Sequence, residues 1–169
     1  MIYTFDETNN PPLHALDLYT TNFEVLHTKV SLSHDADKLP IKSIDLLTVK
    51  LGITSRYAVR VNAKYVPCSN IYVINLQLTF NGRVIKEVFV TSITLNEIYD
   101  ITLRNSVNEI ICVVSGNRTF SNFINLPKSY YVARSYKPFV KEVGNNEMLV
   151  VDIHSIFQSN ETNASFNIG

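Results

Sequence analysis

From residue 23 onward, apolar side chains recur mostly at every second position, the period of a strand with one buried face. Arg56–Val66 is the cleanest case. Tyr57, Val59, Val61, Ala63 and Tyr65 share one side, and Arg56, Ala58, Arg60, Asn62 and Lys64 share the other. Next comes a long hairpin, Ile71–Phe80 and Arg83–Val90 around Asn81-Gly82. Asn-Gly favours a type I′ turn, which needs positive φ at both central residues. With Phe80 opposite Arg83, Leu78 faces Ile85, Leu76 faces Glu87, Ile74 faces Phe89 and Tyr72 faces Thr91. This register assigns Tyr72, Ile74, Leu76, Leu78, Ile85 and Phe89 to the core. The opposite face sets Val73, Asn75, Gln77 and Thr79 against Val84, Lys86, Val88 and Val90. It is too apolar to be left in water, so something must cover it.

Glu24–Ser33, Ser43–Leu51, Glu97–Arg104, Glu109–Ser115 and Arg118–Asn125 read as further strands, joined by turn-like segments such as Gly116-Asn117. Glu147–Phe157 reads as a last strand, with a short helix as the competitor. Residues 1–22 read as an N-terminal arm in which Leu13–Tyr19 could form a turn or two of helix after Asn10-Pro11. The expected organisation is an arm over 1–22, an antiparallel β-sandwich over 23–125, and a C-terminal extension over 126–169. The fold class is all-β.

The length of 169 residues fits one domain with extensions. Net charge is zero, from 15 basic and 15 acidic residues, which disfavours a freely soluble enzyme and suits a subunit held in an assembly. Asn occurs 18 times and Ile 16 times, and Trp is absent; such usage points to an AT-rich genome. The start, Met1-Ile-Tyr-Thr-Phe-Asp-Glu, has neither the basic nor the apolar region of a secretory signal, and no apolar run reaches the roughly 20 residues of a membrane helix. The expected location is therefore the cytoplasm, or a particle assembled in it, with no membrane partner. Cys68 and Cys112 read as a reduced pair, since two cysteines fall short of a disulfide framework.

Candidate chemistry is sparse. His34-Asp35-Ala36-Asp37 could offer two carboxylates to a hard cation, but no Gly or distal Glu completes a binding loop, and a solvated loop is the better reading. His14, His27, His34 and His154 lack metal-ligand spacing, and no cofactor motif occurs. Two features suit an interface. Arg56, Arg60 and Lys64 form a basic stripe that could track phosphates. Tyr130, Tyr131, Arg134 and Tyr136 interleave rings with charge, as single-stranded nucleic acid prefers. Neutral net charge favours exposed sheet faces over nucleic-acid binding, or an acidic patch on a neighbouring subunit. Val84, Val88 and Val90 complete the candidate interface.

The hairpin around Asn81-Gly82, followed by Thr94–Leu103 and Asn108–Val114, resembles part of an immunoglobulin-like sandwich, similar to bacterial adhesion modules of that fold. The core Trp is missing, and Cys68 in a turn cannot supply the usual inter-sheet bridge. The compact β-domain with polar arms also resembles neck and tail ring proteins of tailed phages. These resemblances imply a non-enzymatic structural or adaptor subunit of a virion, partnered by copies of itself in a ring and by neighbouring structural proteins. The alternative is a module binding nucleic acid or carbohydrate through its basic and aromatic face.

Overall fold

A computed structural model describes residues 1–10, 15–20, 25–52, 56–106, 108–126 and 133–159. Among them thirteen strands form two sheets. They are β1 (Ile2–Asp6), β2 (Ala15–Thr20), β3 (Val25–Ser33), β4 (Leu39–Pro40), β5 (Ser43–Leu51), β6 (Tyr57–Tyr65), β7 (Ile71–Phe80), β8 (Arg83–Thr94), β9 (Ile98–Ser106), β10 (Glu109–Ser115), β11 (Thr119–Asn125), β12 (Ala133–Tyr136) and β13 (Glu147–Ser159). The first sheet has the order β1-β13-β3-β9-β10-β11, with β4 added beside β13. The second has the order β2-β12-β5-β6-β7-β8. No helix among the described residues is long and apolar enough to cross a membrane.

The core lies between the sheets because each contributes one apolar face. Val49, Val59, Val61, Ile74 and Leu76 of the second sheet are fully buried, as are Leu26, Ile101, Leu103, Ile110 and Val151 of the first. Removing this much apolar surface from water is the main force holding the sandwich together. Tyr72 is also fully buried; its hydroxyl donates to the Ile41 carbonyl at 2.6 Å, so its polar end is satisfied. Cys112 is buried in β10 and Cys68 is exposed in the β6–β7 turn, both as free thiols. Burial pushes the Cys112 thiol up to about 12, because a thiolate there would have no water around it.

Three expectations need correction. First, the segments read as arms build both sheets. β1 pairs with β13, and Phe5 is fully buried; β2 and β12 pair with each other, and β12 pairs with β5. Residues 15–20 are a strand rather than helical turns. Their partners lie more than a hundred residues away, so local pattern could not reveal them. Second, β8 holds two extra residues. The turn forms with positive φ at Asn81 (50°) and Gly82 (79°), and Phe80 faces Arg83. Then the register slips at Ile85 and again at Val90, so Leu78 faces Lys86, Leu76 faces Val88, Ile74 faces Thr91 and Tyr72 faces Ile93. Each β-bulge re-phases the alternation of faces. Ile85 and Phe89, expected in the core, are 48% and 57% exposed. Third, the valines expected on one covered face part company. Val84 is exposed, Val88 leans on the core, and Val90 is buried.

Candidate functional site on the outer face of the second sheet

In an antiparallel ladder, residues directly opposite one another project from the same face. The register therefore lays three rows across the outer face of the second sheet. One runs Tyr136, Thr48, Arg60, Gln77, Glu87 from β12 to β8. A second runs Arg134, Lys50, Ala58, Thr79, Val84. A third begins at Phe139, which bridges to Asp45 outside the named strands, and continues through Asn62 and Asn75 to Phe89.

A solvent-facing sheet surface normally exposes its polar residues. Here Thr48, Asn62, Asn75, Gln77 and Thr79 are all buried, none more than 9% exposed. They form the floor of a trough shadowed by longer side chains. One hollow of about 270 Å³ opens above Thr48 and Thr79, a second of about 350 Å³ lies beside it against Lys141, Glu142 and Glu147, and both are lined by Asp45 and Phe139. Asp45 thus stands between them. Its backbone is fixed by reciprocal 2.9 Å hydrogen bonds with Phe139, N–H to carbonyl in both directions. A bulge at Leu46 lets Asp45 keep the outer face while Leu47 returns to the core.

Opposed charges meet over the trough. The Asn62 amide donates to Asp45 Oδ1 at 2.9 Å, and Arg60 Nε stands 3.7 Å from Asp45 Oδ2. Gln77 donates to Glu87 Oε2 at 2.5 Å, with Lys64 Nζ at 3.9 Å from the same oxygen. Lys50 Nζ lies 5.2 Å from the centre of the Tyr136 ring, and the Arg134 guanidinium lies 5.9 Å from it; both cations are drawn to the ring face. The Asn62 amide nitrogen also reaches Ser43 Oγ and the Ile44 carbonyl, yet its buried Oδ1 has no partner. An unpaired buried acceptor is costly.

Burial raises the Asp45 carboxyl above its ordinary value of 3.8, against the opposing effects of the Asn62 hydrogen bond and the Arg60 charge. A carboxyl whose proton is held more firmly in the fold than in the unfolded chain favours folding in its protonated form. That contribution is complete below the ordinary value and is lost as pH rises through the raised one. Asp45→Asn should therefore equal wild type in stability in acid and exceed it as pH climbs towards neutrality. Urea unfolding across that range checks this; a variant that falls behind wild type at neutral pH would contradict it.

The described histidines lie away from the trough. His27 on β3 bonds Asp100 at 2.9 Å, His154 on β13 contacts Ser31 at 3.0 Å, and His34 bonds the carbonyl of its neighbour Asp35. Among the described residues no three His, Cys, Asp or Glu side chains converge. The loop His34–Asp37 brings no ligand set together. Of the residues singled out from sequence, Arg56, Arg60, Lys64, Arg134, Tyr136 and Val84 line this trough or its rim. Val88 and Val90 do not. Tyr130, Tyr131 and His14 lie outside the described residues, as does most of the polar tail. Sequence reasoning placed Phe139 among the aromatics interleaved with charge around Tyr136, and it missed Asp45, Asn75, Gln77, Glu87 and Phe89 as site residues. The alternation in Ser43–Leu51 and Ile71–Phe80 puts the polar members of those strands on one face, but which strand neighbours which is not written locally.

No family model and no curated protein sequence matches the chain. Its fold does match solved structures. An alginate lyase from Klebsiella pneumoniae superposes with a TM-score of 0.61 at 9% identity, covering 83% of this chain and 61% of that one. An alginate lyase from Pseudomonas aeruginosa gives a TM-score of 0.63 at 10% identity, covering 83% of this chain and 66% of that one. A protein of unknown function from Saccharomyces cerevisiae gives 0.59 at 12% identity, covering 90% and 77%. The chain spans about six-tenths of the length of the two lyases. The shared fold is an antiparallel β-sandwich of the jelly-roll type, so the expected two-sheet all-β class holds, while the immunoglobulin-like type finds no support. The expectation of a non-enzymatic virion subunit is overturned by these neighbours: those with a named activity are alginate lyases, and none of the three is a neck or tail protein.

Proposed function

We propose that this chain is a carbohydrate-processing enzyme that takes an acidic polysaccharide into the trough and cleaves it by β-elimination. The observation that carries this reading is the row Tyr136, Thr48, Arg60, Gln77, Glu87, laid across a sunken polar face. The kinship in fold with alginate lyases is consistent with it.

The chemistry sets three requirements. The sugar's carboxylate must be neutralised, so that the adjacent C–H becomes acidic enough to lose its proton. One group must take that proton, and one must deliver a proton to the departing glycosidic oxygen. Arg60, with the Gln77 and Asn75 amides beside it, is placed to neutralise a carboxylate and to hold the charge that develops on it. Asp45 and the Tyr136 phenol flank that point and are the groups suited to moving protons. Asp45 holds its proton more firmly than an exposed carboxyl, which brings it nearer the range useful for proton exchange.

The test is to incubate the purified chain with alginate, with polygalacturonate and with a neutral glucan. Elimination makes a new reducing end and an ultraviolet-absorbing double bond conjugated to the carboxylate; hydrolysis makes only the reducing end. Both signals should rise together on an acidic polymer and stay flat on the glucan. No new ends on either acidic polymer would overturn the reading.

A further inference from the structure

The third row ends in an aromatic ring on each side. Phe139 borders both hollows and bridges to Asp45. At the far end Phe89 stands opposite Asn75 and leaves 57% of its surface in water. Phe89 is held there by construction. The bulge at Ile85 turns it to the trough face, the bulge at Val90 returns the following residues to the core, and Asn122 of the other sheet donates to its carbonyl at 2.9 Å, fixing the backbone that carries the ring. Four strand spacings separate the two ends of the row, about 19 Å, room for about four sugar rings.

The charges differ between the ends. Arg60, Lys50 and Arg134 outnumber Asp45 on the β12–β6 side, whereas beside Phe89 on β8 Glu87 is paired with Lys64. A carboxylate is therefore drawn to the first side and finds no excess positive charge at the second. What suits the β8 end is the apolar face of a pyranose ring, whose C–H groups pack on an aromatic face while Glu87 accepts from its hydroxyls.

We propose that Phe89 is a stacking platform for a sugar unit of the same acidic polysaccharide, bound remote from the unit whose carboxylate meets Arg60. This rests on the reading of the trough given above. From Arg60 on β6 to Phe89 on β8 is two strand spacings, about 10 Å, so a disaccharide seated at Arg60 falls short of the ring and a hexasaccharide reaches it. The experiment compares wild type, Phe89→Ala and Phe89→Trp on uronate disaccharides, on hexasaccharides and on the polymer. Phe89→Ala should raise KM for the hexasaccharide and the polymer about tenfold, leave kcat nearly unchanged, and leave binding of the disaccharide untouched. Phe89→Trp should keep wild-type KM. Equal KM for wild type and Phe89→Ala on the long substrates overturns the platform while leaving the trough's function intact. A loss shared equally by the disaccharide overturns it too, because the effect would then be structural. If wild type neither binds nor cleaves any of these substrates, the reading of the trough fails, and the platform with it.

Discussion

Leu76→Ala should lower the free energy of unfolding by about 3 kcal/mol, while Ile85→Ala on the neighbouring strand changes it by less than about 0.5 kcal/mol. Both residues are branched aliphatics on one hairpin, and the alternating pattern with a two-residue turn would rank them together. The bulged register separates them. Leu76 is fully buried between the sheets, so truncation removes apolar contacts and leaves a cavity that close-packed strands cannot fill. Ile85 is the extra residue of the first bulge and is 48% exposed. Urea unfolding of both variants against wild type measures the difference directly. Equal, large losses would mean that the unbulged register is correct.

That pair also shows what was legible in the sequence and what was not. The turn at Asn81-Gly82 and the core residues Tyr72, Ile74, Leu76 and Leu78 could be read directly, because β7 alternates cleanly and Asn-Gly demands its own turn type. The inward run Val59, Val61, Ala63 was legible for the same reason. β8 does not alternate. In Arg-Val-Ile-Lys-Glu-Val-Phe-Val, apolar residues fall on both parities, and a bulge that resolves the conflict leaves no local mark. The pairing of β1 with β13 was hidden for a different reason: a five-residue strand whose partner lies far along the chain gives no periodic signal of its own. The site was half legible. Arg56, Arg60 and Lys64 were seen as a stripe on one face, but their partners Asp45 and Glu87 come from β5 and β8. Without those carboxylates the stripe looked like a track for phosphates. With them it is a trough of mixed charge.

Arg60→Ala should reduce kcat/KM on an acidic polymer by two to three orders of magnitude, or about 3–4 kcal/mol of transition-state stabilisation. Arg60 holds the centre of its row, between Thr48 and Gln77, and its guanidinium is largely withdrawn from water beside Asp45. A cation in such a place acts on developing charge with little screening, whereas one at the rim is screened. Lys64, more than half exposed and engaged with Glu87, lies at that rim, so Lys64→Ala should cost only a few-fold. Arg60→Lys should recover part of the loss, because it restores the charge without the planar fork that grips a carboxylate at two points. The rise of ultraviolet absorbance under steady-state conditions gives all three values. If Arg60→Ala and Lys64→Ala fall equally and slightly, the row does not carry the chemistry.

Binding of the polysaccharide on the outer face of the second sheet is tested most directly by NMR. A short alginate oligosaccharide is titrated into the isotopically labelled chain, and backbone amide shifts are followed. Binding in the trough should concentrate the shifts on β5, β6, β7 and β8, strongest at Asp45, Arg60, Asn62, Asn75 and Gln77, with the strands of the other sheet still. Shifts gathered on β3, β9 and β10 instead, or none at saturating oligosaccharide, would contradict it.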